Sequence, residues 1–328
     1  MTGGAVLIRL QNIILMKFHT SHFHLHLLLL LPLTLLVQSC FFTGVESTPR
    51  ITGKDVRREV APVTPEDTYL ADVADSPLSA WERGKEFMVT DPRISRIFGA
   101  TAPTQPLTGK IIRYDSASET TGITGSPVTD VTFISPEGDR LVYRINRSLR
   151  RLMSETSTEI PFTIQMSVIA GAADRLIGKK FYILTSSWRD DTDNPVGGGR
   201  KFIPVTVDSV AAGNSLFPVK VAFTDPEGRS ARIFIHAGAK GEAPRTFSRV
   251  FSFADPRIQY PHITPEHWQL IIDGRVTEGM TLEECRLSLG TPKEIERGTT
   301  NSFYREAWLY ESGVYLLFED GLLKRFRH

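Results

Sequence analysis

Apolar and polar residues alternate along two stretches of the chain, residues 131–145 and 221–235. Each stretch is interrupted once by Pro-Glu-Gly, at Pro136–Gly138 and at Pro226–Gly228. Proline followed two positions later by glycine is typical of a type I turn, and the alternation is typical of half-buried strands. The pattern therefore predicts two β-hairpins that repeat at a constant offset of 90 residues.

A second match lies upstream of each hairpin, where Leu107–Lys110 and Leu176–Lys179 both read Leu-x-Gly-Lys before a short apolar run. A unit of Leu-x-Gly-Lys, strand and hairpin thus occurs twice. We expect two small, strongly bent SH3-like antiparallel β units. Residues 76–173 hold the first, with a flanking helix at Leu149–Met153, and residues 174–258 hold the second.

Residues 259–328 carry helix signals in place of the hairpin repeat. Thr264-Pro265-Glu266 is a typical helix start, with threonine as N-cap and proline at the first helical position. Thr281 and Glu284 have capping-box spacing, and Gly290 marks the end of that second helix. Three strands are predicted after it, so the whole chain is mainly β with α+β, and this domain has the order ααβββ. The strands are 306–311, 314–319 and 322–326.

Residues 306–319 are apolar at both odd and even positions. Both faces of this small sheet are therefore expected to be covered, and two short helices cover only one. We expect the preceding β unit to cover the second face through residues 247–253. The alternative is another protein.

The most apolar stretch, Leu25–Val37, is 13 residues long and is broken only by His26, Pro32 and Thr34. A membrane-spanning helix needs about 20 apolar residues, whereas the apolar region of a signal peptide needs about 7–15. With Lys17 ahead of it, the run predicts a signal peptide over residues 1–39. Translation starts either at Met1 or at Met16, in which case residues 1–15 are a start-site extension.

Val37-Gln38-Ser39-Cys40 resembles the lipobox of bacterial lipoproteins, where cleavage before the cysteine is coupled to its lipidation. The resemblance implies that Cys40 carries a lipid that anchors the protein to the outer membrane, facing the periplasm. An ordinary signal peptide with an incidental cysteine is the alternative. Residues 40–75 contain three prolines and no apolar period, which predicts an extended tether.

Charge and cysteine content narrow the functional classes. The 38 Lys and Arg against 37 Asp and Glu give a net charge of +1, which predicts no general affinity for nucleic acid. Of two cysteines, lipidation of Cys40 leaves Cys285 without a disulfide partner. Cys285 falls on the apolar face of the second predicted helix, so it is expected in the core and not as a reactive thiol.

Two stretches are partial matches to known ligand-binding loops. Asp190–Asn194 is similar to the opening of an EF-hand, but Pro195 replaces a ligand and no glutamate closes the loop. Gly197–Lys201 lacks the spacing of a phosphate-binding loop. We therefore predict a mobile hairpin loop over residues 188–199, and neither a metal nor a cofactor.

His262, Glu266 and His267 form the clearest histidine–carboxylate cluster, but their order matches no known zinc-protease motif. The sequence contains no Gly-x-Ser-x-Gly nucleophile motif either. We predict a non-enzymatic binding or scaffold protein with a protein or cell-wall partner. A glycan- or peptidoglycan-binding module is the alternative, because SH3-like units sometimes have that role, and a hydrolase is a weaker one.

The C-terminal domain carries four short motifs in order. They are Val276-x-x-Gly279-Met280-Thr281, Leu289-Gly290-x-Pro292, Trp308-x-Tyr310 and Leu317-Phe318-x-x-Gly321. As a set they resemble the SmpA/OmlA (BamE-like) family of envelope lipoproteins. The resemblance implies an accessory role in outer-membrane protein assembly, and the same fold also occurs in protein inhibitors. The whole chain is similar to larger lipoproteins of Bacteroidetes-type bacteria.

Overall fold

The computed structural model describes residues 63–101, 103–238, 243–300 and 303–328. Over these ranges the chain forms three antiparallel sheets with short helices, which confirms the predicted mainly β, α+β class. The predicted signal peptide and Cys40 lie outside the described residues. None of the helices within these ranges is long and apolar enough to span a bilayer.

The elements follow one another along the chain. The helices are α1 (Pro65–Thr68), α2 (Ile94–Ile97), α3 (Leu149–Met153), α4 (Met166–Leu176), α5 (Phe247–Val250), α6 (Pro265–Ile272) and α7 (Leu282–Leu289). The strands are β1 (Glu86–Val89), β2 (Ile111–Thr121), β3 (Pro127–Ile134), β4 (Arg140–Ile145), β5 (Thr163–Gln165), β6 (Lys180–Ile183), β7 (Ile203–Ala212), β8 (Val219–Thr224), β9 (Ser230–Ile235), β10 (Phe251–Ser252), β11 (Glu294–Thr300), β12 (Phe303–Leu309), β13 (Tyr315–Glu319) and β14 (Leu322–Arg327).

The first two sheets share one topology. Their strand orders are β4-β3-β2-β1-β5 and β9-β8-β7-β6-β10, so each is a four-stranded meander with a fifth strand beside the first. The predicted hairpins are β3–β4 and β8–β9. In each turn a glycine at positive φ, Gly138 or Gly228, donates its N–H to the carbonyl of Ser135 or Asp225. The repeat of the two hairpins is therefore confirmed, with a matching irregularity in both β2 and β7.

The Leu-x-Gly-Lys match is not part of that repeat. Leu107–Lys110 enters β2, the second strand of its sheet, whereas Leu176–Lys179 enters β6, the first strand of its sheet. The Gly109 N–H donates to the Val89 carbonyl and the Gly178 N–H to the Val207 carbonyl. The two segments are the same kind of tight turn before a strand, but they occupy different places in the topology.

The predicted tether ends earlier than residue 75. Thr64 caps α1, and Leu70 and Val73 are buried in the core of the second sheet. The Tyr69 hydroxyl also donates to the Arg175 carbonyl at 2.7 Å. The tether prediction is therefore wrong for residues 64–73, because two apolar side chains fix this segment to the folded body.

Helix α4 crosses the predicted boundary between residues 173 and 174. Its apolar side chains Val168, Ile169, Ala172 and Leu176 lie in the same core as the second sheet. The first part of α4, before position 174, therefore packs with the second β unit. In sequence it follows β5, the last strand of the first sheet.

The C-terminal domain has the two helices expected, including the capping box of Thr281 and Glu284. Its sheet has four strands in the order β11-β12-β13-β14, so the order is ααββββ and not ααβββ. The additional strand β11 pairs with β12. The pairing begins with Glu294 opposite Leu309 and ends with Thr300 opposite Phe303. Most residues of β11 are polar, so the strand is recognised by its backbone pairing with β12 and has no apolar sequence pattern.

One face of this sheet, which bears the buried Trp308 and Phe318, packs on the helices. The neighbouring β unit meets the domain at the helices, where the Phe202 ring lies 5.8 Å from the Trp268 ring. Phe247 belongs to the core of the second sheet instead. The expectation that residues 247–253 cover the opposite sheet face is therefore wrong.

Candidate ligand-binding site

Neither cysteine provides a reactive group in the described part of the chain. Cys40 lies outside it. Cys285 is fully buried in the core of the C-terminal domain, as expected, and burial raises the pKa of its thiol to about 12. A buried thiol that remains protonated is not a nucleophile.

The predicted histidine–carboxylate cluster is divided between two structural contacts. His262 Nε2 lies 2.9 Å from Glu283 Oε2, and His267 Nδ1 lies 2.7 Å from Glu284 Oε1. Both contacts join α6, or the turn before it, to α7, and Glu266 takes part in neither. The described residues also contain no group of three or more His, Cys, Asp or Glu placed to hold a metal ion.

The 188–199 loop forms the predicted hairpin, and its base is fixed to the second sheet. Trp188 is buried, and Arg189 exchanges two backbone hydrogen bonds of 2.9 and 2.8 Å with Arg232 on strand β9. Asp190 Oδ1 accepts hydrogen bonds from the backbone N–H groups of Thr192 and Asn194. This carboxylate therefore stabilises the turn.

A pocket of about 410 Å³ is lined by this hairpin, by the turn between β7 and β8, and by side chains of β8 and β9. We call it the basic–aromatic pocket, after the side chains that define it. These are Arg189, Asp193, Phe217, Lys220, Phe234 and Arg245.

The three cations lie close to the two rings. Lys220 Nζ and the guanidinium carbon of Arg189 are each 5.7 Å from the centroid of Phe234. The guanidinium carbon of Arg245 is 5.3 Å from the centroid of Phe217. These are cation–π distances, so the rings hold the cations at the pocket wall. With one carboxylate against three cations, the pocket favours an anion.

Asp193 orients two of those cations. Its Oδ2 accepts from Lys220 Nζ at 3.1 Å, and its backbone carbonyl accepts from Arg189 Nη1 at 2.5 Å. Its buried Oδ1 has no hydrogen-bond partner among the described residues. Arg245 makes no side-chain hydrogen bond or ion pair with those residues either, so its guanidinium donors are left for an anionic group of a ligand, whereas Asp193 Oδ1 can only accept from a donor.

Backbone conformation also sets this pocket apart. Asp193 has φ +64° and Arg245 has φ +56°, two of the five described non-glycine residues in the left-handed region. Such conformations cost about 1–3 kcal/mol each, and they concentrate at functional sites. Here both place a charged residue at the pocket.

The first β unit provides an internal comparison. Lys220 and Phe234 are directly opposite each other on β8 and β9. At the offset of 90 residues, the equivalent pair on β3 and β4 is Asp130 and Arg144. Asp130 and Arg144 form an ion pair at 2.7 Å, so each neutralises the charge of the other. The basic–aromatic pocket is therefore a specialisation of the second unit.

No local sequence pattern points to this pocket. Its residues come from a hairpin, a turn, two strands and a loop, and only the folded sheet brings them together. The signal was nevertheless present in the repeat, because a cross-strand Asp–Arg pair is replaced by Lys–Phe at the same offset.

A second cavity of about 360 Å³ lies near strand β5 and the segment after β9. It is lined by Asp75, Glu159 and His236, among others. His236 Nδ1 lies 2.7 Å from the carbonyl of Ala237, which occupies that ring nitrogen. This cavity lacks the concentration of cations and rings found in the basic–aromatic pocket.

No family model matches the chain, and no curated protein matches it. The function is therefore argued from the geometry of the site.

Proposed function

We propose that this chain is a lipid-anchored protein of the cell envelope that acts as a non-catalytic binding or scaffold module. Its ligand site is the basic–aromatic pocket, and the ligand presents an anionic group there. The observation that carries the proposal is the set of three cations held by two aromatic rings in the second β unit, where the first unit has a closed ion pair.

The anchor rests on the apolar run Leu25–Val37 and the lipobox-like ending at Cys40. Replacing Cys40 with Ala removes the lipid-bearing thiol. Since an acyl chain contributes about 0.8 kcal/mol per buried CH₂, membrane retention depends mainly on that lipid. We expect the variant to leave the membrane fraction and to change its gel mobility. Retention with unchanged mobility would show that Cys40 is not the anchor.

The structural use of His262, His267 and Cys285 supports a binding role in preference to catalysis. The two SH3-like units and the ααββββ domain are joined without a catalytic constellation among the described residues. The resemblance of residues 261–328 to the SmpA/OmlA family supports an accessory role in outer-membrane protein assembly as one setting for this binding.

A second candidate function is the binding of peptidoglycan, and the charges and rings of the basic–aromatic pocket suit that ligand. Its peptide stems carry carboxylates that suit Lys220 and the two arginines, and its sugar rings have apolar faces that suit the half-buried Phe217. Aromatic rings with a few convergent polar groups are typical of sites for small ligands of this kind. A purely protein-binding scaffold would leave isolated cell wall unbound.

The repeat supplies a variant that removes the Lys220–Phe234 cation–π contact of the pocket wall. Changing Lys220→Asp together with Phe234→Arg reproduces the Asp130–Arg144 ion pair of the first unit at the same strand positions. Because Phe234 is buried and Lys220 lies 3.1 Å from Asp193, circular dichroism first checks that this double variant folds, and Arg245→Gln is the milder pocket variant if it does not. We expect the folded variant to lose affinity for isolated cell wall by tenfold or more, about 1.4 kcal/mol.

The matched control changes the first unit instead. Replacing Asp130 with Asn and Arg144 with Gln removes that ion pair and leaves the pocket untouched. We expect this control to sediment with cell wall like the unmodified chain. If neither the unmodified chain nor the control binds cell wall, peptidoglycan is the wrong ligand. If the pocket variant binds as well as the control, the pocket is not the site.

A further inference from the structure

The C-terminal sheet has a face turned away from its helices, which we call the outer face. Leu309, at the end of the inner strand β12, is 37% exposed on this face. Strand register arranges this face in three rows across β11, β12, β13 and β14. The rows are Glu294-Leu309-Tyr315-Arg327, Glu296-Ala307-Leu317-Arg325 and Gly298-Arg305-Glu319-Leu322.

Charge is divided between the edges of the outer face. The acidic residues Glu294 and Glu296 lie on β11, and the basic residues Arg325 and Arg327 lie on β14. The two central strands bear mainly apolar side chains in the same rows. An apolar centre with oppositely charged edges is a pattern that another face of the same kind complements.

We propose that the outer face binds the outer face of a second copy of this chain, about a two-fold axis parallel to the strands. Rotation about that axis places β11 of one copy over β14 of the other and keeps each row opposite itself in reverse order. A two-fold axis across the strands would instead place β11 on β11, with glutamate against glutamate. Charge therefore selects the first arrangement.

When a row is laid on the same row of the second copy in reverse order, oppositely charged residues face each other and apolar residues face each other. In the first, Glu294 meets Arg327 of the second copy, and Leu309 meets Tyr315. In the next row, Glu296 meets Arg325 and the small Ala307 meets the larger Leu317.

In the last row Arg305 and Glu319 already form a 2.7 Å ion pair within one copy. The rotation brings Arg305 of each copy over Glu319 of the other. A four-membered charge network results, with no like charges opposed in this row.

The size of the face sets the strength of the association. Four strands about 4.8 Å apart, with three rows spanning about 14–20 Å, give roughly 300–400 Å² per copy. This lies below the area of a standard stable interface, so the dimer is weak and depends on concentration. Its edge charges are solvent-accessible, so salt weakens it further.

Sedimentation equilibrium of the full chain in mild detergent, up to roughly 200 µM protein, tests the proposal. We expect reversible dimerisation that weakens in 0.5 M salt. Two charge-reversed variants, Glu294→Arg with Glu296→Arg and Arg325→Glu with Arg327→Glu, should each weaken self-association at least tenfold. An equimolar mixture of the two should restore it, because acid and base again face each other in the mixed dimer.

A matched control reverses two exposed charges far from this face, Arg150→Glu with Arg151→Glu on α3, and should dimerise normally. A chain that is monomeric throughout the concentration range overturns the proposal. So does a dimer that is insensitive to the outer-face reversals, or a mixture of the two reversed variants that remains monomeric.

Discussion

Lys201 is a described residue whose charge is disfavoured by burial. It is 9% exposed, and burial lowers the pKa of its ammonium group from 10.5 to about 8. Its Nζ donates a 2.6 Å hydrogen bond to the carbonyl of Ser288, which joins the second β unit to helix α7. At neutral pH the protein therefore keeps a desolvated charge at this junction.

Replacing Lys201 with Met is expected to stabilise the protein at pH 7 by about 1–3 kcal/mol, because it removes a buried charge at the cost of one hydrogen bond. The folded-state pKa lies below the unfolded value, so between about pH 8 and 10.5 the unfolded chain binds more protons. Stability of the unmodified protein then rises with pH across that window. The advantage of the variant should accordingly shrink toward pH 10.5.

Urea unfolding at pH 7 and pH 10 measures both effects, with Lys180→Met as an exposed control that should change stability little. A Lys201→Met variant that loses equal stability at both pH values would mean that the hydrogen bond to Ser288 outweighs the desolvation of the charge.

At the scale of elements, the turn between β7 and β8 determines the shape of the basic–aromatic pocket. The Gly213 N–H donates to the Pro218 carbonyl at 2.8 Å. A Cβ added at Gly213 would lie 2.2 Å from the Phe217 carbonyl oxygen and 3.0 Å from a ring carbon of Phe234. Only glycine fits there without moving a pocket wall.

Gly213→Ala is therefore expected to destabilise the protein by about 1–3 kcal/mol through overpacking and to weaken ligand binding at the same time. Gly197→Ala is the matched control, because a Cβ at Gly197 meets nothing within 4 Å. Thermal unfolding and ligand titration on both variants measure the two effects. If Gly213→Ala binds ligand normally, the turn does not shape the site.

The sequence predicted elements where turns or caps carry a local physical signal. The Pro-x-Gly hairpins and the helices opened by Thr264 and Thr281 are examples. Strand β11 was missed because Ile295 is its one large apolar residue among polar neighbours. Helix α4 was also missed, although Val168, Ala172 and Leu176 have helical spacing.

The basic–aromatic pocket could not be located from local patterns. Arg189 and Arg245 are far apart in sequence, and each reaches the pocket through a loop whose course no periodicity predicts. The cross-strand neighbours Lys220 and Phe234 follow from the register of the predicted hairpin. The repeat thus contains part of the site, but only the folded loops complete it and make it recognisable.

Considered as a whole molecule, the chain distributes two proposed binding surfaces over different sheets. The basic–aromatic pocket lies on the second β unit, and the outer face lies on the C-terminal sheet. Since no residue is shared between them, variants of one surface should leave the other unchanged. Ligand binding and self-association can therefore be measured separately on the same protein.

The central claim is that the pocket of the second unit binds an anionic ligand. Its most direct test is a titration of the full chain with soluble peptidoglycan fragments, followed by the same titration on the Lys220→Asp, Phe234→Arg variant. We predict saturable binding that weakens as salt is raised, and a tenfold or greater loss in the variant. Equal affinity in both proteins would contradict the assignment of this pocket as the ligand site.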